Sequence, residues 1–146
     1  MTESVVRTPA SAVVATLGLV YLVLAVAGFV AVGWGTFGYE EPVRVFSVVG
    51  TSTLANIVHA FAGVVALVAA LRRGASVFAP IGTIAFLAMA VFGVVSRLFP
   101  GAGDPLNLTW WNVGLYLLSA IACLYAYLAN ARSAVDHREP GRGHSE

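Results

Sequence analysis

Six side chains able to do chemistry stand inside stretches that are otherwise built for lipid. They are Asn56 and His59 in "NIVHAFAG", and Asn112, Tyr116, Ser119 and Cys123 in "NVGLYLLSAIAC". Asn56 and His59 are three residues apart, so on a helix they border one face. The second group follows at spacings of four, three and four, a polar line down a second helix that continues to Tyr127 and Asn130. A histidine in such a place can ligate a metal or haem, relay a proton, bind a ligand, or simply hydrogen-bond to a neighbouring helix.

The elements that must carry these residues are membrane helices. The chain has 146 residues, 59% of them hydrophobic and 10% charged. Soluble domains have about 25% charged residues, so this chain has too little polar surface to cover a soluble globule. Four apolar runs, 10–33, 53–71, 75–99 and 110–128, are each long enough to cross a bilayer, which takes roughly 20 residues. They lack period-two alternation, and only helices and closed barrels satisfy the backbone in hydrocarbon, so helices are expected. The fold class is therefore an all-α integral membrane protein with a four-transmembrane-helix bundle. A polar tail (1–9) precedes the 10–130 transmembrane domain, and a polar, disordered tail (131–146) follows it. The first run exceeds the roughly 7–15 residues of a secretory signal core, so it is read as a retained helix.

Packing faces follow from small residues. Gly18, Tyr21, Ala25 and Gly28 mark one side of the first helix; Gly63 and Ala66 continue the His59 stripe of the second. Close helix approach in membranes uses such faces. Gly18, Ala25, Gly28, Gly63 and Ala66 are thus the expected packing positions. The rise of about 1.5 Å per residue puts His59 and Tyr116 at a common depth, on the order of 9 Å below one interface. Asn56 and Asn112 come out shallower. The expectation is one polar cluster of Asn56, His59, Asn112 and Tyr116 near that end of the bundle.

The two halves share short similarities: "LAVAGFV" with "LAMAVFGVV", and "NIVHAFAGVVAL" with "NVGLYLLSAIACL". These would make the bundle two repeated helical hairpins. The loop "WGTFGYEEPVRVFSVVGTS" is rich in interfacial aromatics, and 42–49 could form either a short interfacial helix or an ordinary loop. Pro80 would either kink the third helix or mark its first turn. Trp110 and Trp111 anchor the fourth.

All eight basic residues are arginine. Arg7, Arg72, Arg73, Arg132, Arg138 and Arg142 fall on one side of the membrane, and only Arg44 and Arg97 on the other. The positive-inside rule then places both termini in the cytoplasm of a bacterial plasma membrane. The formal net charge of +1 gives no footprint for nucleic acid. The lone Cys123 excludes an intramolecular disulfide. The sequence has no phosphate loop, H-E-x-x-H, C-x-x-C or serine elbow, so no catalytic residue is assigned and the chain is not expected to be an enzyme. No metal or cofactor is expected: haem held on both faces would need a second histidine, available only from a second copy of the chain. No acidic residue within the helices continues a proton relay from His59.

The segment "VFSVVGTSTLANIVHAFAGVVAL", with "VYLVLAVAGFV" before it and "LNLTWWNVGLYLL" after it, resembles the Asn-x-x-His signature of small four-helix bacterial membrane proteins common in actinobacteria, catalogued as domain of unknown function 4383. The resemblance covers most of 10–128. It implies the four-helix architecture and no activity. In that family the fourth helix often opens with a second Asn-x-x-His. Here Asn112 matches the asparagine, Leu115 stands at the histidine position, and Tyr116 is the nearest polar substitute. The expected function is a structural or accessory subunit, or stabiliser, of a membrane assembly. Its expected partners are membrane lipids and other membrane subunits or a second copy. The alternative is a binding or transport-related module for a lipid, quinone or other small ligand at the polar cluster.

Overall fold

The computed structural model describes residues 8–35, 43–99 and 103–136, apart from the side chains of 133–136. The expected disorder after 136, the first seven residues and the segment 36–42 lie outside the described residues. Four helices, α1 (Pro9–Val32), α2 (Thr53–Leu71), α3 (Ala75–Leu98) and α4 (Trp110–Asp136), are joined with one small hairpin, β1 (Val43–Val45) and β2 (Val49–Thr51). All four helices are long and apolar enough to cross a membrane. The chain is an all-α membrane protein of four spanning helices.

Local chemistry sets the helix ends. Thr8 caps α1 by accepting the Ser11 amide at 3.2 Å, and Pro9 occupies the first helical position, where a missing N–H costs nothing. Ser52 caps α2 by accepting the Ala55 amide at 3.1 Å. At the other end of α2, Arg73 takes a left-handed conformation (φ 58°) and the Gly74 amide reaches back to Ala69 O at 2.7 Å. This is a Schellman turn, and it reverses the chain directly into α3. Pro80 lies inside α3 rather than in its first turn. The fourth helix runs on to Asp136, past the polar boundary expected at 130, because "ARSAVD" contains no helix breaker.

Helix α1 packs most extensively on α2, and α3 on α4; the two pairs meet mainly through α1 and α4. Small and polar residues surround a few buried aromatics in the interior, and the exterior is large and apolar. Buried positions of α1 are Ala10, Val14, Gly18, Tyr21, Leu24, Ala25 and Gly28, while Val30 is 84% exposed and Leu19 and Val23 are more than half exposed. A soluble bundle reverses this arrangement. Gly18 and Gly63 face each other across the α1–α2 contact: a Cβ on Gly63 would lie 2.9 Å from Gly18 O. Ala25 and Ala66 are each 2% exposed.

The described part of the first long loop is a hairpin, and no interfacial helix forms over 43–51. Its strands pair antiparallel in the register Val43↔Thr51, Arg44↔Gly50, Val45↔Val49. Phe46 and Ser47, at the turn, both have positive φ (51° and 64°), as primed hairpin turns require.

Candidate functional site

All four side chains of the expected cluster are buried: Asn56 and Asn112 at 0% exposure, Tyr116 at 1% and His59 at 2%. His59 and Tyr116, expected at one depth, meet in the structure: His59 Nε2 and Tyr116 Oη are 2.9 Å apart. This bond links α2 to α4.

Asn112 turns to the hairpin. Its Oδ1 accepts the Gly50 amide at 2.9 Å, the Thr109 amide at 2.9 Å and the Thr109 hydroxyl at 2.8 Å. Its Nδ2 donates to Gly50 O at 3.0 Å. One side chain therefore holds both backbone groups of Gly50. Asn112 is the third residue of α4, and its bond to the Thr109 amide is the reach-back half of a capping box. Asn56 binds elsewhere, accepting the Thr51 hydroxyl at 2.6 Å on Oδ1. Its Nδ2 has no hydrogen-bond partner among the described residues. Gly28 makes room for this amide, since any Cβ there would collide with the Asn56 side chain.

Sequence reasoning missed the hydroxyl of Tyr21, which was assigned only to a packing face. Tyr21 Oη and Ser119 Oγ are 2.9 Å apart, and the Ser119 hydroxyl donates to Leu115 O at 2.8 Å. The serine proton is thus engaged, so Tyr21 is the donor to Ser119. The Tyr21 ring stacks on Phe86 (centroids 4.9 Å apart, planes at 15°) and lies 5.4 Å from the His59 ring. It also lies parallel to Tyr116 at 6.4 Å. All four helices contribute to this aromatic centre. The polar line of α4 continues through buried Ser119 and Cys123 but then leaves the interior: Ala126 is buried and Tyr127 is 44% exposed. A spacing of four, repeated, drifts around a helix of 3.6 residues per turn.

Further buried polar groups lie at the start of α2 and in the loops beside it. Thr51, Ser52 and Thr53 are buried, and each hydroxyl fastens a different segment. Thr51 binds Asn56, Ser52 donates to Pro105 O at 2.9 Å, and Thr53 donates to Gly33 O at 3.2 Å. From the loop between α3 and α4, Asn107 Nδ2 donates to Thr51 O at 3.0 Å, and Val48 O lies 2.9 Å from Thr109 Oγ1, whose single proton it shares with Asn112 Oδ1. Asp104 accepts the Leu106 and Leu108 amides and so shapes that loop from within. Gly50 is buried under it, and a Cβ there would run into Asn107 O. Hairpin and loop together form a lid across one end of the bundle.

The arrangement is a set of fastenings. Among the described residues, no group of three His, Cys, Asp or Glu side chains comes together as a metal site. One nitrogen of His59, the residue closest to a ligand by type, faces Tyr116.

No curated protein and no solved structure matches the chain. The family described as a domain of unknown function, DUF4383, matches residues 12–129. That span takes in most of α1, the hairpin, α2, α3 and most of α4, and the chain belongs to this family.

Proposed function

We propose that the chain is a small accessory protein of a bacterial plasma-membrane assembly, a structural subunit or stabiliser without catalytic chemistry. The observation that carries this reading is the use made of the buried polar atoms. Asn112, His59, Tyr116, Tyr21 and Ser119 bind one another or the lid backbone. Membrane helices use such bonds for cohesion, at about 0.6 kcal/mol each on average. What they hold in place is a rigid lid at one membrane face, a surface suited to contact with another subunit or a second copy of the chain. The excess of arginine, six against two, supports a reading with the lid outside and both termini in the cytoplasm.

The test is purification from native membranes in mild detergent, followed by native mass spectrometry of the parent and His59→Ala. The accessory reading predicts a stoichiometric protein partner, and a lowered melting temperature in His59→Ala with no small molecule lost. A second reading, a ligand module at the cluster, draws on one observation: Asn56 Nδ2 is a buried donor without an acceptor, which costs about 1–3 kcal/mol. A small molecule that co-purifies with the parent and is absent from His59→Ala would favour that reading and contradict the first.

A further inference from the structure

A second place gathers positive charge that no ion pair among the described residues neutralises. A pocket of about 400 Å³ opens where the hairpin, the second loop and the adjoining ends of α3 and α4 meet; Arg44, Ser47, Arg97, Asn107, Trp110 and Trp111 line it. Among the described residues, Arg44 and Arg97 are the arginines at the lid end of the bundle. They lie far apart in sequence, and the folding of the hairpin onto the loop brings them to one cavity. Both are exposed, and neither makes an ion pair among the described residues. Two wall residues, Ser47 and Asn107, are non-glycine residues at positive φ (64° and 55°).

The chemistry of these walls selects an anion that is part of a lipid. A guanidinium presents a planar fork of donors that matches phosphate oxygens. Trp110 and Trp111 are 54% and 64% exposed at the start of a spanning helix, where indoles sit at headgroup level. A ligand held here has its charge between two arginines and its apolar part beside two indoles, on the membrane side. We propose that this pocket binds the phosphodiester headgroup of an anionic phospholipid in the leaflet on the lid side. The site adjoins the buried cluster through Thr109, which lines the pocket and bonds Asn112, but it does not depend on the accessory reading.

The experiment is a titration of purified protein, in neutral detergent, with short-chain phosphatidylglycerol. A Trp34→Phe background leaves Trp110 and Trp111 as the fluorescent reporters. The proposal predicts saturable binding that weakens about tenfold in Arg44→Gln and in Arg97→Gln, as expected for loss of one charge-assisted contact. Arg44→Lys retains part of the affinity, and Arg72→Gln/Arg73→Gln, at the opposite end, titrates like the parent. Thermal melting of each variant confirms that it folds. Equal binding of phosphatidylcholine, or unchanged affinity in both single variants, overturns the proposal. An equal loss in the Arg72→Gln/Arg73→Gln control also overturns it, because the attraction is then not local. Displacement by inorganic phosphate at equal concentration replaces the lipid with a soluble anion.

Discussion

His59 and Tyr116 show how a single polar pair behaves in an apolar chain. Both rings are buried, and each hydrogen-bonds to the other. Truncating one partner leaves the other's polar atom without its bond, so His59→Ala and Tyr116→Phe are each expected to destabilise the protein. A double-mutant cycle should return a coupling of about 0.5–2 kcal/mol; a coupling near zero would mean that the bond contributes nothing. Gly28 makes a sharper case. Gly28→Ala drives a methyl group into Asn56 and should cost about 1–3 kcal/mol, whereas Gly114→Ala, with open space around its Cβ, should be neutral or slightly stabilising. Chemical denaturation of both variants checks the contrast. The His59–Tyr116 pairing was legible in the sequence because helical rise fixes depth and small residues mark the inward face. The Tyr21–Ser119 bond was not, because a tyrosine among glycines and alanines has the same pattern whether its hydroxyl is bonded inside or its ring merely packs.

The helices were legible as elements and the hairpin was not. Runs of about twenty apolar residues have one stable conformation in hydrocarbon, so α2 could be read from composition alone. The hairpin strands have three residues each, and the turn carries Phe46-Ser47 in place of the Asn-Gly or Gly-containing pair that marks primed turns. No periodicity builds up over three residues. What specifies the hairpin is tertiary: Asn112 and Thr109 supply partners for its backbone. Relieving the turn should therefore help. Ser47→Gly removes the penalty of positive φ and is expected to stabilise the hairpin by roughly 1 kcal/mol, seen as slower amide exchange over 43–51. Faster exchange there would show that the serine side chain contributes more than its backbone strain costs.

Across the whole molecule, the lid ties two helical pairs that meet mainly through α1 and α4. Thr53 fastens the start of α2 to the end of α1, Ser52 fastens it to the second loop, and Asn112 fastens α4 to the hairpin. Orientation belongs to this scale too: a reporter fused to the C-terminus should report from the cytoplasm, and a periplasmic or external signal would invert the assignment. The central claim is that the polar residues of this apolar chain hold the lid to the bundle, and Asn112 is where it can be tested most directly. Its four hydrogen bonds make Asn112→Ala worth about 2–3 kcal/mol of local stability. The measurement is hydrogen exchange of the Gly50 amide in parent and Asn112→Ala, in the same detergent. We predict exchange accelerated by roughly 30-fold or more at Gly50 and its strand neighbours, with the centres of α2 and α3 unchanged. Equal protection of Gly50 in the two proteins would contradict the claim.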